Sequence, residues 1–101
     1  MAEVWRRYRR PLFLSETSHV GIGRAKWIRE ITNEVQQARA RGVPIEGICI
    51  FPIIDRNDWE NPNHWHHSGL WELLPDRQGY YHRVLNPIYA AELRRCQSIL
   101  P

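Results

Sequence analysis

Residues 10–18 read Arg-Pro-Leu-Phe-Leu-Ser-Glu-Thr-Ser, a short apolar run that stops abruptly at one carboxylate, Glu16, set between hydroxyls. Leu12, Phe13 and Leu14 follow one another with no polar residue between them, the pattern of a strand buried on both faces of a parallel sheet. A carboxylate does not belong in such a core. Ser15, Glu16 and Thr17 therefore fall at the C-terminal end of the strand, where β/α architectures place their active sites.

The sequence on either side fits that architecture. Trp27, Ile28, Ile31, Val35 and Ala38 recur at helical spacing, while Arg24, Lys26, Arg29, Glu30, Glu34 and Arg39 fall largely on the other face. The spacing predicts an amphipathic helix over 24–41. Gly42 can close it with a left-handed cap, and Pro44 cannot continue it. A second strand is predicted over 46–54, with Pro52 marking a bulge, an edge or the strand's end, because proline cannot donate in mid-ladder. Strand, helix and strand in this order predict a parallel pair joined by a crossover helix. Upstream, residues 1–9 read as the tail of a helix that ends at Arg10, since the residue before a proline is pushed out of the helical region.

Downstream, residues 55–67 crowd acidic, amide, tryptophan and histidine side chains into one loop, and loops of that length inside compact domains usually carry function. Residues 69–74 read as a brief extended or turn segment, and 75–79 carry turn chemistry. Asn86 and Pro87 are an N-cap followed by proline at the first helical position, opening a last helix with Leu85, Tyr89, Leu93 and Cys96 as its stripe.

Composition narrows the class. The 101 residues suffice for one small domain, and 43% apolar residues with five tryptophans argue against disorder. No apolar run approaches the roughly 20 residues of a membrane span, and no signal-length apolar segment follows the N-terminal arginines. A cytoplasmic protein without membrane contact is expected. Cys49 and Cys96 lie in apolar patterns without Cys-x-x-Cys spacing and are expected to be buried free thiols. The net charge of +3 is concentrated in Arg6, Arg7, Arg9 and Arg10. Such a patch could meet nucleic acid, but Val4, Trp5 and Tyr8 form the apolar stripe of a helix end whose arginines face water, so no nucleic-acid partner is expected. His64, His66 and His67 invite a zinc site, yet no second ligand pair follows at structural spacing. Neither a metal nor a cofactor is expected.

A strand ending in Ser15-Glu16-Thr17, a helix, and a strand running through Phe51-Pro52-Ile53-Ile54-Asp55-Arg56-Asn57-Asp58-Trp59 towards Ser68-Gly69-Leu70 together resemble the last quarter of a glycoside hydrolase family 1 (β-glucosidase-like) barrel. The resemblance implies an α/β fold, a C-terminal fragment of a (β/α)8 TIM barrel comprising strand 7, helix 7, strand 8 and helix 8. By the same resemblance residues 1–101 form a single partial β/α domain, with 1–9 as a helix tail and 10–101 as the last two β/α units. In that family the seventh strand ends in Thr-Glu-Asn-Gly and carries the catalytic nucleophile, which the resemblance places at Glu16. The eighth-strand pattern Trp-Ser-x-x-Asp-Asn-x-Glu-Trp is similar to residues 51–59. By that likeness Asp55 matches directly, Asp58 stands where a glutamate binds sugar hydroxyls, and Trp59 stands where an indole stacks on the sugar. Phe51, Pro52, Arg56, Asn57 and His67 depart from the pattern.

His19 and His66 are further candidates for the sugar pocket, His19 because it lies three residues beyond Glu16. Retaining glycosidases need a second carboxyl group as acid and base. The family carries it in an Asn-Glu pair on the fourth strand, and the Asn33-Glu34 pair here lies on the polar side of the predicted helix. The resemblance thus implies a fragment of a retaining β-glycosidase with nucleophile and sugar-binding loop but no acid/base, a glycoside as substrate, the N-terminal remainder of the barrel as partner, and no activity alone. The alternative is a non-catalytic carbohydrate-binding or protein-interaction module built on the aromatic loop.

Overall fold

The computed structural model describes residues 1–100. They form α1 (Ala2–Tyr8), β1 (Leu12–Thr17), α2 (Gly23–Ala40), β2 (Ile45–Ile50), a hairpin of β3 (Arg56–Asn57) with β4 (Trp65–His66), a hairpin of β5 (Trp71–Pro75) with β6 (Tyr81–Leu85), and α3 (Pro87–Ile99). β1 and β2 are parallel, with Leu12 opposite Ile45, Leu14 opposite Ile48 and Thr17 opposite Ile50. Because α2 lies between them in sequence, the three elements make one β/α/β unit.

The stripe of α2 is buried at Ile28, Thr32, Val35 and Ala38, the helical spacing that puts one face on the sheet. At its C-terminal end Val35 and Ala38 pack with Val43 and Ile45, backed by Leu12, Leu14 and Trp5 of α1. At its N-terminal end Ile28 packs with Tyr89 and Cys96 of α3, and Ile48 touches both clusters. Gly42, at φ 87°, turns the chain out of the helix while the Val43 N–H returns to the Ala38 carbonyl at 3.0 Å. Asn86 caps α3 by accepting the Tyr89 N–H at 2.9 Å, ahead of Pro87.

Several expectations are corrected. β2 stops at Ile50 rather than Ile54, since Pro52 has no N–H to give, and Ile54 keeps one parallel bridge, to Trp71. The β1–β2 sheet is buried on one face only. Leu12, Leu14 and Ile48 turn towards the helices, whereas Phe13 is 60% exposed and Cys49 is a free, exposed thiol. The expected burial on both faces, and of Cys49, needed a second layer that these residues do not supply; Cys96 is buried as expected. Residues 71–85 form a full hairpin rather than a brief turn. Its tip is built by Asp76, whose Oδ1 accepts the N–H groups of Gln78 and Tyr80 at 2.9 and 3.0 Å.

The outline is a slab of 53 × 30 × 17 Å with a radius of gyration of 16.1 Å, against about 13 Å for a compact chain of 100 residues. Its accessible surface is 7503 Å², where about 6,000 Å² is usual for a 12 kDa monomer. Among the described residues no helix is long and apolar enough to cross a membrane. The arginines of the N-terminal cluster are exposed, and Arg9 lies over the Trp5 ring at 5.3 Å.

Candidate active site

The C-terminal ends of β1 and β2 meet at one end of the slab, where the Phe51 N–H reaches the Thr17 carbonyl at 3.4 Å. Between the Leu14–Ile48 and Thr17–Ile50 pairs β1 has one residue more than β2, so Ser15 and Glu16 form a bulge. Glu16 is exposed and sits at φ 47°, in the left-handed region. That conformation costs a non-glycine residue about 1–2 kcal/mol, and bulges of this kind re-aim a side chain at the rim of a sheet.

The residues after Glu16 are fastened to other elements. The Trp27 indole Nε1 donates to Thr17 Oγ1 at 2.7 Å, and Ser18 Oγ donates to the Ser68 carbonyl at 2.9 Å. Tyr89, buried under this corner, has its phenol pushed up by burial, an effect opposed by a hydrogen bond with Ser18 and by the charge of Arg24.

The segment following β2 is organised by Asp55 and Arg24. Asp55 has a fully buried side chain; its Oδ1 accepts the Gly69 N–H at 2.9 Å and its Oδ2 lies 2.8 Å from His67 Nδ1. Arg24 was expected on the solvent face of α2 and is instead 4% exposed. Its Nε donates to the Gly21 carbonyl at 2.7 Å, its Nη1 to the Gly69 carbonyl at 2.7 Å, and its Nη2 to Glu72 Oε1 at 2.9 Å, with Asp55 Oδ1 3.9 Å from Nη1. These bonds satisfy a charge that would otherwise be expensive to bury. Gly69 is required by close approach, because a Cβ there would lie 2.5 Å from the Asp55 backbone nitrogen.

Asp58 shapes the outer loop. Its Oδ1 accepts the N–H groups of Glu60 and Asn61 at 2.7 and 3.1 Å, and its Oδ2 lies 3.0 Å from His66 Nε2. The Glu60 N–H first, then His66 and the Asn61 N–H, lower its carboxyl from 3.8 to about 2. Trp59 is 86% exposed, with the Arg56 guanidinium 4.9 Å from its ring centre. Trp65 lies against Tyr81 of the second hairpin, ring centres 5.1 Å apart.

Of the six candidates, the structure brings His19 and His66 into one groove of about 280 Å³, shared with Ser18, Phe51, Arg56 and Ser68. Glu16, Asp58 and Trp59 lie outside that groove, and the Asp55 carboxylate is engaged by protein partners on both oxygens. The residues that sequence reasoning missed are Arg24 and Glu72. Among the described residues no three His, Cys, Asp or Glu side chains are placed to hold a metal ion.

No protein family's sequence profile matches the chain, and no curated protein matches it. Solved structures do. A β-glucosidase designated 1317, in its apo form, matches with a TM-score of 0.74 at 20% identity, over 99% of this chain and 25% of that one. An aphid myrosinase matches with a TM-score of 0.70 at 15% identity, over 94% and 22%. The GH1 β-glucosidase from Exiguobacterium antarcticum B7 matches with a TM-score of 0.63 at 18% identity, over 98% and 26%. The chain spans about a quarter of the length of these enzymes. It therefore has the fold of one quarter of a β-glucosidase TIM barrel, a span that fits a C-terminal fragment of glycoside hydrolase family 1 architecture.

Proposed function

We propose that the chain is the C-terminal quarter of a retaining β-glycosidase-like barrel, with β1 as strand 7, α2 as helix 7, β2 as strand 8 and α3 as helix 8. Glu16 is the nucleophile, and the groove of His19 and His66 with the Trp59 loop receives the sugar. Asp58 and Asp55 set that loop, the first at its outer turn and the second through His67 and Gly69. The observation that carries the reading is the bulge: an exposed carboxylate at φ 47° on the C-terminal end of a parallel strand. Strain kept at such a position is a mark of function rather than of packing. Two free thiols, Cys49 exposed and Cys96 buried, agree with a cytoplasmic setting.

In a retaining mechanism Glu16 attacks the anomeric carbon and displaces the aglycone, forming a glycosyl ester that water then hydrolyses. The proton for the leaving oxygen comes from a carboxyl group outside these residues. Without it the chain loses on the order of 10²- to 10⁴-fold from that step alone, so the acid/base and the missing pocket walls come from the other three quarters of a barrel.

The test joins this chain to a polypeptide carrying the other β/α units and adds an aryl glycoside with a good leaving group and a 2-fluoro substituent, which slows release of the ester. Mass spectrometry should find the sugar on Glu16, and Glu16→Gln should abolish both label and turnover. Undiminished turnover by Glu16→Gln, or a label on another residue, refutes the assignment.

A further inference from the structure

Trp27 is the one aromatic residue of α2, and it packs in neither core cluster. Its neighbour Ile28 takes the core-facing place, and Trp27 is left half-buried. The indole is turned instead towards the segment that follows Glu16. Its Nε1 donates to Thr17 Oγ1 at 2.7 Å, and its ring centre lies 6.0 Å from that of His19. His19 is held in turn, because its Nδ1 accepts the Val20 N–H at 2.8 Å and Gly23 lies so close that a Cβ there would come within 2.7 Å of Nδ1.

The bond to Thr17 acts on the residue next to the strained one. Thr17 is also reached by the Phe51 N–H, but at 3.4 Å, beyond the usual range of about 2.7–3.2 Å. The indole bond is the short one. The strain of a left-handed Glu16 and the net worth of one hydrogen bond are of the same order, so a single bond at this place decides whether the strand end keeps its bulge or relaxes into extended pairing with β2. A plain apolar ring would cover the strand end as well. What tryptophan adds is a donor, and that donor is given to the neighbour of Glu16.

We propose that Trp27 is a positioning residue: its indole N–H, through Thr17, holds the Glu16 bulge and so fixes how the carboxylate leaves the sheet. The proposal rests on the glycosidase reading for what Glu16 does, and on the Trp27–Thr17 bond for how Glu16 is held.

The test has two arms. In the 101-residue chain, the one-bond Cα–Hα coupling and the Cβ shift of Glu16 report by NMR whether its φ is positive. Trp27→Phe and Thr17→Val remove the donor and the acceptor of the same bond. Each should move Glu16 to the extended region, and the double variant should do no more than either. Thr17→Ser keeps the acceptor and should keep the left-handed signature. In the joined barrel, labelling by the 2-fluoro glycoside should slow roughly ten- to a hundredfold at saturation in Trp27→Phe and Thr17→Val, as expected for a misplaced reacting group. The concentration giving half the maximal rate should stay within about twofold, since the sugar's own contacts are untouched. Circular dichroism checks folding, and Thr17→Val decides the matter should Trp27→Phe fail to fold.

A left-handed Glu16 in either folded variant would overturn the inference, as would labelling at the original rate or a double variant whose two effects add. A joined barrel of unaltered sequence that takes no label counts against the glycosidase reading alone; the coupling measured in the chain still judges whether Trp27 holds the bulge.

Discussion

Replacing Arg24 by methionine keeps most of the side chain's volume and removes its charge and all of its donors. The structure says what is left behind. The carbonyls of Gly21 and Gly69 lose bonds of 2.7 Å, Glu72 loses its 2.9 Å partner, and the buried Asp55 carboxylate loses the nearest cation, at 3.9 Å. Removing one side of a buried ion pair costs about 3–5 kcal/mol. The Glu72 contribution is to be discounted, because its side chain is 25% exposed and partly exposed pairs are worth about 1 kcal/mol or less.

A loss of about 3–4 kcal/mol is then expected, a large part of the roughly 5–15 kcal/mol that holds a domain folded. Urea titration followed by tryptophan fluorescence reads it directly. With a slope of about 1–3 kcal/mol per molar, the midpoint should fall by about 1–4 M. Lys26→Met is the control, since that side chain is 75% exposed and paired only with Glu30 at 3.6 Å, and it should change stability by no more than about 0.5 kcal/mol. A loss for Arg24→Met within about 1 kcal/mol of the control would refute the view that Arg24 ties the loop to α2.

Gly69→Ala should cost about 1–3 kcal/mol as an overpacking change, because the new methyl would meet the Asp55 nitrogen at 2.5 Å; a neutral effect in the same titration would show that the two segments can separate freely. Asp58 is depressed in the folded chain, so its stabilising effect is fully present above the ordinary 3.8 and is lost as the pH falls towards 2. Trp59 emission should change within that window, and Asp58→Asn should remove the change; an identical acid titration in the variant would contradict the loop geometry. A thiol-reactive dye should label Cys49 in the native chain and Cys96 only on unfolding, from their exposed and buried settings. Equal rates would mean that the Cys49 face is covered.

The parts legible in the sequence are those set by local periodicity. The α2 stripe of Ile28, Val35 and Ala38, the Gly42 turn and the Asn86-Pro87 start of α3 each follow from neighbours a few residues away. Glu16 was legible as a carboxylate out of place in an apolar run, though not the bulge that aims it, since register depends on a partner strand more than 30 residues downstream. The β5–β6 hairpin escaped notice because β6 is exposed along its whole length and so lacks a one-sided apolar alternation. Arg24 escaped for a different reason. Sequence places an arginine on the polar side of a helix by default, and only the return of Gly69 and Glu72 from 45 residues or more away makes burial there tolerable. Phe13 and Cys49 misled because their apolar character describes a two-sided layer that these residues alone do not form.

The bonds of Arg24 have one more consequence, for engineering. Every partner of that arginine, and both anchors of Ser18, lie within residues 18–89 of the same chain. The disposition of the strand ends is thus tied down by contacts among these residues. Such a piece behaves as a cassette: moved whole into another eight-stranded scaffold it should keep the relative placement of Glu16, His19 and His66, whereas a transplant of the 55–67 loop alone would leave behind the arginine that holds it.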